Sequence, residues 1–223
     1  MHPWILGAGL VLLGAAAHAA DTAAPAAGCP RAGAAVTERF VSADCPECWA
    51  AKDGAAAPAG WLFDWITPTP AAGDAPLAAA APAEAAERAQ RAGGPSPVAQ
   101  QMLTVRSALP SGVPALRVLS GPAWNGYFGL QLELRGAVPR GSSGWLALVE
   151  LLPAGSEGST VERQLVRAVA GPLPLDGAKR PISHLRALRW PESAQPTRLQ
   201  ARGWVEAPDG RLLAIAADRC PAR

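Results

Sequence analysis

The most informative stretch of the chain is residues 36–48, which read Val36-Thr37-Glu38-Arg39-Phe40-Val41-Ser42-Ala43-Asp44-Cys45-Pro46-Glu47-Cys48. Its first half is rich in β-branched and aromatic residues, a composition typical of a strand. The second half separates two thiols by two residues, and Pro46 suits the first turn of a helix. A strand, a sharp turn and a helix that opens with Cys-x-x-Cys are the local pattern of thiol–disulfide oxidoreductases.

This pattern predicts a chemical role for each sulfur. Amide N–H groups at the start of a helix stabilise a thiolate, so Cys45 is the expected attacking group and Cys48 the resolving one. Asp44 and Glu47 flank the pair with negative charge, and like charge disfavours a thiolate. We therefore expect a reducing or weakly reactive pair, because a strong oxidant stabilises its reduced, thiolate-bearing form.

The amino-terminal residues predict export. The stretch from Trp4 to Ala17 is almost wholly apolar, and Ala17-His18-Ala19 is a small-x-small cleavage pattern. The run is shorter than the roughly 20 apolar residues of a membrane span. Residues 1–19 are thus expected to be a signal peptide, which predicts a periplasmic or secreted protein without a membrane span after cleavage. Residues 20–35, rich in Ala, Pro and Gly, are expected to form a flexible arm.

Composition excludes several classes of function. The chain has 20 basic and 18 acidic residues and no basic block, which argues against nucleic acid as a partner. It has no phosphate-binding Gly loop and no dinucleotide fingerprint, so no cofactor is expected. A single histidine, His184, remains after the signal peptide, and the cysteine spacing is poor for zinc. We therefore expect no metal.

Four cysteines allow three pairings. We favour Cys45–Cys48 together with a structural disulfide between Cys29 and Cys220. The second bond would tie the start of the mature chain to the end of its last strand. Closing a loop of roughly 190 residues is worth about 5 kcal/mol on the chain-entropy relation, less any strain in the folded bond. In the alternative interpretation, both disulfides are structural.

The amino-terminal half, 36–110, reads as a mixture of strands and helices. Strands are predicted at 37–41 and 61–66, and helices from 46 to about 52 and from 74 to 92, the latter kinked at Pro82 or restarting there as a second piece. Val98, Met102, Val105 and Leu109 follow a 4-3-4 spacing, which predicts a further helix.

The carboxy-terminal half, 111–223, reads as strands alone. Alternating apolar and polar residues predict strands at 116–119, 127–135, 145–152, 161–169, 185–190, 199–206 and 211–217. Many short strands joined by turn residues argue for an antiparallel sandwich or barrel.

Aromatic residues in this half offer a second kind of site. Trp124, Tyr127 and Trp204 are candidates for a surface that stacks on sugars or peptides, because Trp204 alternates with polar neighbours along its strand. Packing of these rings in the core or at its edge is the simpler alternative.

The chain resembles a family of uncharacterised secreted bacterial proteins that join an amino-terminal thioredoxin-like domain to a carboxy-terminal β-rich domain. The resemblance is carried by 38–48, 61–65, 87–91, 144–149, 163–169 and 210–216. It implies a cis-proline facing the disulfide, for which Pro97 is the candidate and Pro68 the alternative. The interval between the cysteines and that proline is shorter than the family pattern, which implies a truncated domain.

Together these observations predict an α+β protein: a truncated thioredoxin-like α/β domain at 36–110, then an antiparallel β-sandwich-like domain at 111–223. One hypothesis for its function is thiol–disulfide exchange with another exported protein through a mixed disulfide. The other is a non-enzymatic binding or envelope-structural protein held together by its disulfides.

Overall fold

A computed structural model describes residues 29–30, 34–52, 60–95, 99–110, 115–175 and 181–220. Its helices and strands follow in chain order: β1 (Val36–Ser42), α1 (Pro46–Ala50), β2 (Trp61–Thr67), α2 (Ala85–Arg91), β3 (Met102–Ser107), β4 (Ala115–Ser120), β5 (Tyr127–Arg135), β6 (Ser143–Leu152), β7 (Arg163–Pro174), β8 (Ile182–Arg189), β9 (Leu199–Glu206) and β10 (Leu212–Ala217). Short 3-10 turns lie at Ala72–Asp74, Ala78–Ala80 and Pro196–Arg198.

Most strands belong to one mixed sheet, which corrects the expected fold class. The seven-stranded sheet has the order β10-β9-β6-β7-β2-β1-β3. β1 and β2 are parallel, β2 meets β7 in parallel at the pair Asp64–Leu165, and the other neighbours are antiparallel. A thioredoxin-like α/β domain followed by a sandwich is therefore wrong: strands from both sides of residue 111 share this sheet, and the protein is mostly β. The boundary itself, 111–114, is outside the described residues.

Two predicted helices differ from the structure for local reasons. The stripe over 98–109 contains β3, which pairs antiparallel with β1, because Leu103 and Val105 alternate with polar residues at the period of a strand. The predicted helix over 74–92 is helical only at Ala85–Arg91, preceded by two 3-10 turns. Pro82 would lie in the interior of a continuous helix, where it lacks the N–H that such a helix requires, and α2 begins only after it.

Two β-sheets nevertheless pack face to face in a sandwich-like way, although the larger one also contains the amino-terminal strands. β4, β5 and β8 form a three-stranded antiparallel sheet in the order β4-β5-β8. Its inward leucines, Leu130, Leu132 and Leu134, pack against Leu146 and Leu148 of β6 in one buried cluster. β5 and β9 begin and end at the predicted residues because their alternating patterns are unbroken.

The large sheet curls so that its other face packs on itself. β2 and β9 are separated by β6 and β7, which in a flat sheet would place them roughly 14 Å apart. Nevertheless the ring of Trp204 on β9 lies 5.7 Å from Phe63 and 6.2 Å from Trp65 on β2, centroid to centroid. The concave face is therefore an aromatic interior rather than a surface.

Buried ion pairs fix the elements around this interior. The guanidinium of Arg88 on α2 donates to the carboxylates of Glu38 on β1 and Glu206 on β9. Arg39 on β1 pairs with Asp64 on β2. Removing one partner of such a pair costs about 3–5 kcal/mol, since it strands the other charge in the interior. These contacts hold β1, and hence the segment that follows it, in one position.

Candidate functional site

The Cys45–Cys48 pair lies at the junction between the end of β1 and the start of α1. The two residues form a disulfide, with their Cα atoms 5.2 Å apart. Cys45 is the N-cap of α1, Pro46 occupies the first turn, and the N–H of Cys48 donates to Sγ of Cys45 at 3.3 Å. The pair thus occupies the predicted place at the start of a helix.

The two cysteines differ in their access to solvent. Cys45 is 0% exposed, whereas Cys48 is partly exposed and its neighbours Pro46 and Glu47 are exposed. The sulfur of Cys45 is therefore closed to a partner, whereas Cys48 is the residue of the pair that keeps exposed surface. Burial therefore favours Cys48 as the attacking residue and Cys45 as the resolving one. This is the reverse of the roles predicted from the position of Cys45 at the start of the helix.

An acidic side chain lies beside the buried sulfur, and a second acidic residue precedes it in the chain. Oε1 of Glu47 lies 3.0 Å from Sγ of Cys45. The N–H of Gln100 donates to Oδ1 of Asp44 at 3.0 Å, and this hydrogen bond lowers the pKa of Asp44 below its ordinary value. The carboxylate of Glu47 is thus close enough to disfavour a thiolate on Cys45, on which the expectation of a reducing or weakly reactive pair depends.

The end of α1 is held by residues that the sequence did not single out. Nε1 of Trp49 donates to the carbonyl of Glu157 at 2.7 Å. Arg163 donates to the carbonyls of Trp49 and Ala51, and its guanidinium lies 4.8 Å from the centroid of the Trp49 ring. Arg163 and Leu165 are two positions apart on β7 and therefore share a face, which would have indicated an arginine on this side of the strand but not its partner. These contacts make α1 a fixed platform for the pair.

The other disulfide joins Cys29 to Cys220, whose Cα atoms are 5.4 Å apart. It connects residues 191 positions apart and lies at the end of β10. The structure thus contains the two disulfides that the sequence favoured.

The two candidates for the predicted cis-proline, Pro97 and Pro68, have different outcomes. Pro97 lies outside the described residues, so its assignment stays a prediction. Within the described ranges the cis peptide bond is Gly171–Pro172, on β7, and Pro68 follows a trans bond.

The three candidate aromatics do not form one surface. Trp124 is 81% exposed and Tyr127 is 45% exposed, on either side of a tight turn in which Asn125 and Gly126 have positive φ. Trp204 is 2% exposed and stacks on Trp145 at 6.0 Å. Trp204 is therefore removed from the candidate surface.

The polar neighbours that made Trp204 a candidate are buried with it. Gln200, Arg202 and Glu206 share its face of β9, and that face is the concave interior. Arg202 donates to side-chain oxygens of Gln200 and Gln164 and to the carbonyl of Leu62. Burial lowers the pKa of Arg202 to about 9. Alternation alone identified the shared face but not which side of the sheet faces water.

Comparison with protein-family models, with curated proteins and with solved structures finds no match to this chain. The family resemblance of the sequence therefore stays a prediction. Within the described residues, no helix combines the length and the apolar character needed to cross a bilayer.

Proposed function

We propose that this chain is an exported protein that exchanges disulfides with another exported polypeptide through Cys45 and Cys48, with Cys48 as the sulfur that meets the partner. The observation that supports this proposal is the difference in exposure within one disulfide, 0% for Cys45 against a partly exposed Cys48. Both disulfides are compatible with a periplasmic or extracellular location.

The exchange begins with a thiolate of the partner attacking Sγ of Cys48. A bond forms between the two sulfurs, the Cys45–Cys48 bond breaks, and its electron pair leaves on Sγ of Cys45. The N–H of Cys48, already directed at that sulfur, stabilises the leaving thiolate, which then takes a proton from water. A second partner thiol attacks the mixed disulfide and releases Cys48, so the partner is oxidised and this chain carries two thiols.

The reverse sequence reduces a partner. The thiolate of Cys48 attacks the partner's disulfide, and Cys45 resolves the mixed disulfide by attacking Sγ of Cys48. The carboxylate of Glu47 beside Cys45 opposes charge on that sulfur in either direction. This opposition favours the disulfide over the dithiol at neutral pH, which makes the reduced protein a good electron donor.

Two matched variants test the proposal in the mature chain. Cys45→Ala keeps Cys48 and cannot resolve, so it should accumulate mixed disulfides with exported proteins. Cys48→Ala keeps only the buried sulfur and should accumulate far fewer. Alanine suits the buried position, because it leaves no unpaired polar atom there. Equal trapping by both variants would refute the assignment of Cys48, and trapping by neither would refute exchange.

Trp124 supports a second candidate function, a binding protein whose disulfides are structural. An exposed tryptophan at a hairpin tip suits a stacking contact with a sugar or a peptide. Under this alternative, Trp124→Ala abolishes partner binding while Cys48→Ala leaves it intact.

A further inference from the structure

A cleft of about 380 Å³ opens between the turn at Ala78–Ala80 and the end of β8. Its lining includes Ala79, Pro82, Arg167, Arg189, Trp190 and Glu192. We infer that it binds an extended, uncharged segment of the polypeptide whose cysteine exchanges with Cys48. The inference rests on the proposed function and names the partner's chemistry.

The hydrogen-bonding group of the cleft is Arg167, whose side chain is buried. Its Nε donates to Glu150 at 2.7 Å, and its Nη2 donates to the carboxylates of Glu150 and Glu157. Within the described part of the chain, no protein atom accepts a hydrogen bond from Nη1. Because two carboxylates already offset the charge of Arg167, the acceptor that suits Nη1 is a neutral carbonyl oxygen rather than a third anion.

The rest of the lining also suits a peptide backbone with apolar side chains. Ala79, Pro82 and Trp190 give the cleft an apolar wall. Arg189 and Glu192 also line it and carry charges of opposite sign, so they add no net charge. Such a mixture of apolar surface with few, fixed polar groups is typical of ligand sites.

The cleft is connected to the disulfide region through two sets of contacts. Ala80 and Ala81 line the cleft and belong to the same packed cluster as Cys48 and Trp49. Glu157 accepts from Nε1 of Trp49 through its carbonyl and pairs with Arg167 through its carboxylate. A partner segment in the cleft thus contacts the cluster on which Cys48 packs, and the rest of the partner can extend from there to Cys48.

The exposed aromatic hairpin borders the far side of the cleft. Tyr127 is paired in register with Arg189, and the N–H of Trp190 donates to the carbonyl of Gly126 at 3.2 Å. Trp124 precedes this turn. Exposed Tyr and Trp are enriched at protein interfaces, so these rings extend the cleft as further contacts for the same partner.

The test uses a short synthetic peptide with leucines beside one position that carries either Ser or Cys. The Ser peptide cannot exchange, so its binding to the oxidised protein, followed by fluorescence anisotropy, tests the cleft alone. Ala79→Trp fills the cleft from an exposed position and should weaken binding about tenfold, which corresponds to about 1.4 kcal/mol. Ala83→Trp is the matched control, also exposed and close in sequence but not part of the lining, and should bind like the original chain.

Exchange rates separate the two proposals. With the Cys peptide, Ala79→Trp should slow exchange about tenfold, while exchange with glutathione, which does not need the cleft, stays unchanged. Absence of peptide binding by the original chain, or equal binding by both tryptophan variants, would overturn the cleft assignment even if glutathione exchanges normally. Peptide binding that depends on Ala79 without any glutathione exchange would retain the cleft and refute the proposed function.

Discussion

The two disulfides of this chain differ in the length of chain they enclose and in their place in the fold. Cys29–Cys220 joins residues 191 positions apart, just after β10, and pairs the buried Cys29 with the partly exposed Cys220. Cys45–Cys48 joins residues three positions apart at the start of α1, and pairs the buried Cys45 with the partly exposed Cys48. Exposure is therefore alike in the two bonds, and what separates them is that the long-range bond restricts the unfolded chain, whereas the local bond lies at a helix start, where we propose that it meets a partner.

The largest expected effect comes from removing the long-range bond. We expect Cys29→Ser together with Cys220→Ser to lower the free energy of unfolding by about 5 kcal/mol, because the unfolded chain regains the entropy of a long open loop. Urea denaturation of the mature protein measures this loss. Exchange with glutathione should persist. A loss below about 1 kcal/mol would mean that this bond does not restrain the chain.

Removing the local bond should matter less for stability and more for chemistry. On the same chain-entropy relation, Cys45→Ala together with Cys48→Ala costs about 2 kcal/mol, because a short loop loses little entropy on closure. Glutathione exchange should disappear. If this double variant is as destabilised as the first, both disulfides are structural and the distinction between them fails.

The carboxylate beside the buried sulfur should slow the opening of the local bond. Glu47→Gln removes the negative charge 3.0 Å from Sγ of Cys45, so we expect glutathione to reduce the pair severalfold faster. Stopped-flow reduction measures the rate. Glu87→Gln, an exposed carboxylate on α2, is the control and should leave it unchanged. A slower rate in Glu47→Gln would show instead that this carboxylate assists the leaving sulfur.

The smallest effect concerns the segment that packs beside the pair. The hydrogen bond from Gln100 lowers the pKa of Asp44 below its ordinary value of 3.8. The contact is therefore fully stabilised by the ionised carboxylate at pH values above 3.8, and the stabilisation is lost as the pH falls through the lowered pKa. Hydrogen exchange at the N–H of Gln100, after correction for the intrinsic rate, should lose protection in acid. Asp44→Asn should abolish this dependence on pH. Protection that is independent of pH in the original chain would contradict the assigned hydrogen bond.

Much of the local structure could be predicted from the sequence. The strands of the carboxy-terminal half, both disulfides and the helix after Cys45 follow from alternation, turn residues and the position of Pro46. These are properties of short segments, and each is visible within about ten residues.

The arrangement of the segments could not be predicted in this way. Pairing of β2 with β7 and the curl that buries Trp204 depend on contacts between residues more than 100 positions apart, which no local period encodes. The same limit applies to the site. The motif located the sulfurs, but the exposure of Cys48 over Cys45 depends on how α1 is held by Glu157 and Arg163.

The most direct test of the central claim is a map of glutathione attachment on the native mature protein under mild reduction. Mass spectrometry of the alkylated digest identifies the sulfur that carries glutathione. We predict glutathione on Cys48, a free thiol at Cys45, and an intact Cys29–Cys220 bond. Glutathione on Cys45, or opening of Cys29–Cys220 before the local pair, would contradict the account.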